Sequence, residues 1–353
     1  MTPKQRVEAA LTGQNPDWVP FTVFEALLPT GEVERRLRND GLCIVRPMSV
    51  VTSEYEEVTI ERTTFTGQDG VERVRTAVCT PVGELTAIDR HAVSSSWHEK
   101  RFFTSQKDYE PLYYMIQDRR YRPNYGDFAK VAARLGHDAA MRTRIGYEPL
   151  QDIIITLMCL EEFAVQWADN RDRVLKLHEL LVEDRRKVYP IVADSPAWTA
   201  NYGGNVVAEV VGLERFEKMI VPQYEEAAEV LHAKGKLIGV HFDANTKLLA
   251  PAIARTHLDY IEAFTPYPDT DMSVADAREA WPDKALWINY PSSVHLQSIT
   301  DIEDMMRKIL KEAAPGERFL IGITEDVPED RWAGNYEAIL RVCRQEGRLP
   351  IRG

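Results

Sequence analysis

The chain has 353 residues, of which 44% are hydrophobic, so a large core can be buried and disorder is not the default. Lys and Arg number 43 against 55 Asp and Glu, a net charge of −12, which argues against nucleic acid or an anionic membrane surface as the main partner. Four cysteines, Cys43, Cys79, Cys159 and Cys343, include no CxxC pair and make no disulfide framework in a chain this long. The N-terminus lacks the apolar stretch of a signal peptide, and no apolar run approaches membrane length, so the expected location is cytoplasmic.

Thr2-Pro3-Lys4-Gln5 reads as a capping box with proline at the first helical position, and Gly13 can stop that helix. The apolar stretch Trp18 to Phe24 predicts a first strand, and Gly31 to Leu37 a short charged helix. Residues 43–90 change character. Val58, Ile60, Arg62 and Thr64 alternate with Thr59, Glu61 and Thr63. Gly67-Gln68-Asp69-Gly70 is turn chemistry, and Val74, Thr76 and Val78 resume the alternation. This predicts an antiparallel hairpin or meander over about 43–90, inserted near the start of a single domain spanning 1–353. Such an insertion serves either as a lid or wall for a site or as decoration.

From Gln106 onward helices and strands alternate. Helices are expected over Tyr109 to Arg119, Asp127 to Leu135, Leu150 to Trp167, Arg171 to Val192 and Leu213 to Ala233. Strands are expected over Ala140 to Ile145 and Trp198 to Asn201, the latter followed by a Gly203-Gly204-Asn205 loop. Two apolar runs, Leu237–Val240 and Leu258–Ile261, end in polar groups: His241 and Asp243 after the first, Glu262 after the second. Between them Leu248, Leu249, Ile253 and Ala254 recur at helical spacing. Val274 to Trp281 is a helix, Ala285 to Asn289 a strand, Ile302 to Ala313 a helix, Arg318 to Ile323 a strand and Asn335 to Gln345 the last helix. Repeated strand–helix units of this number fit an α/β fold, a (β/α)8 TIM barrel, better than a doubly wound sheet. No G-x-G-x-x-G or G-x-x-x-x-G-K-S/T string supports a nucleotide site.

In such a barrel the polar residues at the strands' C-terminal ends face the ligand. His241, Asp243 and Glu262 are therefore candidates for metal ligation or acid–base work. Each has a plain alternative: a buried structural histidine, a helix cap for the segment near Thr246, and an ion pair with a barrel arginine. Glu325 ends the last strand, with Asp326 beside it as a potential cap. Asn289, Ser292, Ser293 and His295 form a polar cluster that would orient a polar substrate or serve as turn chemistry. Glu209 is a weaker ligand candidate, and Asp271 would bond across the mouth or cap the helix at Ser273. Tyr109, Tyr113 and Tyr114 would form a substrate or corrinoid platform, with packing as the preferred reading.

Several stretches resemble the uroporphyrinogen decarboxylase superfamily. They are the opening T-P-K-Q-R-V-E-A-A-L-T-G-Q-N-P-D-W-V-P, the segment from Gly212 to Pro222, the V-H-F-D-A-N block, the D-Y-I-E-A-F-T-P-Y-P-D-T-D-M block and G-I-T-E-D-V-P-E-D. The likeness runs over nearly the whole chain and implies a (β/α)8 barrel. The superfamily contains porphyrin decarboxylases and corrinoid-dependent methyltransferases. The decarboxylases carry an R-Q-A-G-R-Y segment for substrate carboxylates, whereas here Arg35, Arg36 and Arg38 lie on a different pattern. The methyltransferases that load coenzyme M bind zinc through His-x-Cys and a later Cys. Here the pair is His241-x-Asp243, the later position falls near Thr324-Glu325, and Cys343 lies well into the last helix.

That exchange of thiolates for carboxylates implies a more Lewis-acidic metal with an open position. It suits polarising the heteroatom of a methyl ether. The resulting expectation is a corrinoid-dependent methyltransferase of the O-demethylase type. Zinc would be held by His241, Asp243, Glu262 and Glu325, with Asp243 and Glu262 in catalysis and Asn289, Ser292, Ser293 and Tyr114 at the substrate. The methyl group of a small methoxylated or N-methylated compound would pass to cob(I)alamin. No Asp-x-His-x-x-Gly string occurs, so the corrinoid would be carried by a partner protein or bound free. The resemblance also leaves a homodimer open. The alternative is a metal-independent decarboxylase or lyase in which Asp243 and Glu262 steer protons and arginines bind carboxylates. A non-catalytic partner-loading subunit is the third class.

Overall fold

A computed structural model describes residues 1–91 and 96–352. The chain enters through helix Pro3–Leu11, whose Thr2 cap and Gln5 side chain form the expected reciprocal capping box. Strand β1, Phe21–Phe24, follows, then β2, Cys43–Pro47. The chain next leaves the barrel. Strands β3 (Val51–Tyr55), β4 (Thr59–Thr66), β5 (Glu72–Thr80), β6 (Gly83–His91), β7 (Ser96–Lys100) and β8 (Arg119–Pro123) make this excursion. It returns at β9, Ala139–Gly146, and continues with β10 (Thr199–Tyr202), β11 (Leu237–His241), β12 (Tyr260–Phe264), β13 (Ala285–Asn289) and β14 (Phe319–Ile323). Eight of these close a parallel barrel in the order β1-β14-β13-β12-β11-β10-β9-β2. The α/β TIM-barrel expectation holds.

The excursion differs from its expected bounds. Cys43–Pro47 is a barrel strand, paired in parallel with β1 and β9 and starting with three buried residues. The antiparallel part starts at Val51 and extends to Pro123. β4 to β7 form a four-stranded meander, while β3 pairs with β8 about seventy residues later. That pairing is non-local, so no short-range pattern announces it. Asp118 ties the two sheets together: its Oδ2 accepts backbone N–H groups of Glu56, Glu57 and Val58 at 2.9–3.0 Å. Helix Tyr109–Asp118 packs on β5, β6 and helix Arg171–Arg186, which anchors the meander to the barrel.

Three expected helices are interrupted. Arg171 to Val192 divides at Lys187 into Arg171–Arg186 and Val188–Ala193. Pro149–Gln151 runs into a π-helical stretch Asp152–Leu157 and stops at Cys159, whose φ is +132°, before Leu160–Asp169. Ala208–Arg215 passes through the π-helical turn Phe216–Ile220 into Val221–His232, with Pro222 in its first turn. The periods of α- and π-helices are too close for a short apolar stripe to separate them.

Helix Pro3–Leu11 plugs the N-terminal end of the barrel. Its Val7, Ala10 and Leu11 pack with Cys43, Ala140 and Leu320. Above them the Tyr260 ring fills the axis and is admitted by Gly239, where a Cβ would lie 2.2 Å from it. Its hydroxyl donates to Asn201 Oδ1 at 2.6 Å. The interior is thus a packed core below and becomes polar only at its C-terminal end.

Candidate metal centre and substrate cavity

Period-two alternation decides what faces the barrel axis. On β12 Tyr260 and Glu262 point inward, and on β11 Gly239 and His241 do so. The two strands are in register, with His241 opposite Glu262. After Glu262 the strand bulges at Ala263, whose φ is +59°.

Glu262 is fully buried and surrounded by donors. Its Oε2 lies 2.7 Å from His241 Nδ1 and accepts Asn201 Nδ2 at 3.0 Å. Its Oε1 lies 2.9 Å from Arg142 Nη2. Burial alone would raise the Glu262 pKa, but the charges of Arg142 and His241 overcome it and hold the carboxyl ionised. For His241, burial acts downward, while Glu262 and Asp243 win and raise the pKa. An ionised Glu262 acts only as an acceptor, so the proton on Nδ1 is fixed and Nε2 points the other way.

On that side stand the other carboxylates. His241 Nε2 is 3.5 Å from Asp243 Oδ2. One ligand atom each from His241, Asp243 and Glu325 lies within 4.8 Å of the others, the group that could hold a metal ion among the described residues. Enclosure at the barrel mouth and the charge of Asp243 raise the Glu325 pKa, as crowded carboxylates should. An imidazole and two carboxylates suit a borderline-hard divalent cation with room for another ligand. Glu262 takes a different place from the expected one. It grips the histidine from behind, and the arginine ion pair foreseen as its alternative is Arg142.

The remaining candidates divide. Asn289 is buried, accepts the backbone N–H of Thr324 at 3.0 Å and donates to Thr265 at 3.3 Å, so it fixes the backbone beside Glu325. Ser293 bonds Asp269 through its hydroxyl and its N–H, and Ser292 opens the turn Ser292–Leu296; both are turn chemistry. Tyr114 lies on helix Tyr109–Asp118 and bonds Glu57, in the excursion. Tyr109 and Tyr113 are core residues. His295 is buried against Asn335. Asp271 accepts the N–H of Thr246 and Lys247 in the neighbouring loop, a bond across the mouth, while the helix Val274–Ala280 is capped by Ser273 with Asp276; Glu209 accepts Asn245. Cys343 is buried in the last helix, and Arg36 and Arg38 are spent on ion pairs with Glu337, Asp138 and the buried Glu34.

Sequence reasoning missed the residues of β9 and the two loops above it. A cavity of about 280 Å³ opens beside His241 and is lined by Phe24, Arg142, Arg144, Tyr147, Asn201 and Asn205, among others. Arg142 and Arg144 sit two apart on β9, hence on one face. Two arginines in the otherwise apolar A-M-R-T-R-I run were the available signal. Gly203 and Gly204 form the wall next to the histidine. A Cβ on Gly204 would approach His241 Cβ to 2.9 Å, and its φ of +141° suits glycine. Beneath them lies the buried Glu148, which accepts the Tyr224 hydroxyl and the Gly204 N–H, the latter at 3.3 Å.

No family model matches the chain, and no curated protein sequence matches it. Among solved structures it is similar to a methyltransferase from Methanosarcina mazei, with a TM-score of 0.60 over 98% of this chain and 99% of that one, at 11% identity. Looser matches are a glycoside hydrolase family 5 enzyme from Prevotella bryantii B14, with a TM-score of 0.43 at 9% identity over 94% of this chain and 97% of that one, and an endo-1,4-β-mannanase from Rhizomucor miehei, at 0.42 and 10% over 94% and 96%. The likeness is one of fold, a closed eight-stranded parallel TIM barrel. No helix among the described residues is long and apolar enough to cross a membrane.

Proposed function

We propose that this protein is a metal-assisted methyltransferase, related to the uroporphyrinogen decarboxylase superfamily, that moves a methyl group from a small methoxylated or N-methylated compound to cob(I)alamin on a partner corrinoid protein. The observation that carries the reading is the convergence of His241, Asp243 and Glu325 at the barrel mouth, with Glu262 on the far nitrogen of the histidine. A carboxylate behind a ligating histidine is the usual second layer of a zinc site. Bound zinc would act as a Lewis acid on the donor heteroatom.

The chain's own residues supply the rest. Glu262 and Arg142 hold the His241 ring; Asn289 holds the strand end that bears Glu325; Phe24 and Tyr147 wall the cavity in which the donor lies. In the reaction the CH3–O bond breaks and its electron pair stays on oxygen, while the cobalt(I) electron pair forms the new bond to carbon. The demethylated product takes up a proton, so charge and atoms balance. The metal-independent lyase loses support on one point: Glu262, tied to Arg142, His241 and Asn201, is poorly placed to carry protons. The test is transfer itself. Methoxylated and N-methylated donors are incubated with the protein and cob(I)alamin, and methylation of cobalt is followed by absorbance. Transfer that requires the protein and fails in His241→Ala supports the reading; no methylation from any such donor overturns it.

A further inference from the structure

Behind the cavity wall lies a buried acid that the proposed reaction does not use. The wall is the turn Gly203-Gly204-Asn205, whose φ values of +59°, +141° and +54° place it outside any strand or helix ladder. It is held by hydrogen bonds to a single stretch, residues 146–151 after β9. Gly203 N–H donates to Gly146 O at 2.7 Å, and Gly204 N–H to Glu148 Oε2 at 3.3 Å. Gln151 Nε2 donates to Asn205 O at 2.6 Å, and Asn205 Nδ2 to the Tyr147 hydroxyl at 3.3 Å. On its other side the turn lines the cavity with Gly203 and Asn205, and Gly204 rests against His241.

Glu148 is the fully buried carboxyl of that stretch, and a Cβ on Gly203 would overlap it, so turn and acid are in contact. Its oxygens bond only the Tyr224 hydroxyl and the Gly204 N–H among the described residues. The groups that face it are Tyr224 from helix Val221–His232, Tyr202 from β10, its neighbour Tyr147, and Arg185 from helix Arg171–Arg186. Arg185 is spent on Ile145 O at 2.9 Å and Asp152 at 3.2 Å and makes no ion pair with Glu148. A neutral carboxyl satisfies this site, with one oxygen donating to the Tyr224 hydroxyl and the other accepting the Gly204 N–H. An ionised carboxyl is a buried charge with no cation in contact. Burial accordingly raises its pKa to about 7, against the opposing effect of the Tyr224 hydrogen bond. Water relieves such a charge, and Gly203, without a side chain, stands between the carboxyl and the cavity.

We propose that Glu148 is a proton-operated latch: its neutral carboxyl holds the Gly203-Gly204-Asn205 turn closed against the cavity and His241, and its ionisation lets the turn open and admit water. The latch is independent of the methyl-transfer reading, and its test uses neither metal nor methyl donor. The closed turn prefers the proton, so opening grows as pH rises from about 4.5 to about 7 and levels off above that. Amide hydrogen exchange of the purified full-length protein reads it, with protection at residues 203–206 corrected for the intrinsic pH dependence of exchange. That protection is expected to fall at least tenfold between about pH 5 and about pH 7.5, and to stay below that of strand β13 at both. Glu148→Gln, neutral throughout, is expected to show a fall of less than about threefold. No fall in the wild type overturns the proposal, as do turn amides that exchange only together with those of β13, or an equal fall in Glu148→Gln. The first two outcomes need no variant. Tyr224→Phe gives a second check, because it removes the hydroxyl that favours the ionised carboxyl. The fall should then move to higher pH, and a fall at the unchanged pH overturns the latch.

Discussion

His241 Nδ1 lies 2.7 Å from Glu262 Oε2, on neighbouring strands and directly in register. This contact sets the ring's tautomer and turns Nε2 toward Asp243. It also links the candidate metal cluster to the cavity beside it, because the same glutamate holds Arg142.

Removing that carboxylate has two separable effects. Glu262→Gln keeps the shape but weakens the grip on Nδ1, and it is expected to lower zinc affinity about 10–100-fold, measured by competition with a chelator. Glu262→Ala leaves Arg142 buried and uncompensated and is expected to cost about 3–5 kcal/mol in denaturant unfolding. Zinc affinity unchanged in Glu262→Gln would contradict the positioning role.

Glu148 makes stability depend on pH. Burial raises its pKa to about 7, from the ordinary glutamate value of 4.5. The folded state therefore binds the extra proton between those values. Its contribution is fully present below about 4.5 and is lost as pH rises through about 7. Relative to Glu148→Gln, the wild type should lose stability over that window, by on the order of 3 kcal/mol. Unfolding free energies of both proteins across pH 4.5–8 provide the check. A parallel pair of curves would rule the effect out.

Gly204→Ala tests the wall behind the histidine. The new Cβ would press on His241 Cβ, and the backbone conformation resists it. A loss of about 1–3 kcal/mol and weaker metal binding are expected. Gly235→Ala is the control: its φ is also positive, at +66°, but nothing lies within 4 Å. It should carry only the backbone cost, about 1 kcal/mol, and leave metal affinity unchanged.

Asn289→Ala removes the acceptor for the Thr324 N–H and frees the strand end before Glu325. The buried N–H left behind should cost about 1–3 kcal/mol. Metal affinity should fall although Asn289 lies outside the ligand cluster. An unchanged affinity would mean that Glu325 needs no such anchor.

The strand ends were readable because apolar runs such as Leu237–Val240 stop abruptly at polar residues, and a parallel barrel sends those residues to one mouth. That logic found His241, Asp243 and Glu325. It did not distinguish ligand from support for Glu262, because the distinction depends on Arg142 and Asn201, three and two strands away. Ser292, Ser293 and Tyr114 were drawn in as polar or aromatic residues near expected strand ends or on a helix face, but hydrogen bonds to Asp269 and Glu57 occupy Ser293 and Tyr114 elsewhere. Arg142 and Arg144 escaped notice since charged residues within a strand usually face solvent, and only barrel closure turns this pair inward. The far limit of the excursion depends on β3 meeting β8, a contact between distant segments that local pattern does not encode.

The central claim is the metal centre, and elemental analysis of the purified protein tests it most directly. Native protein and His241→Ala would be purified side by side without chelators, and both would be confirmed as folded by circular dichroism. About one divalent metal ion per chain in the native protein, lost in the variant, is the predicted result. No metal in the native protein, or the same content in both, would contradict it.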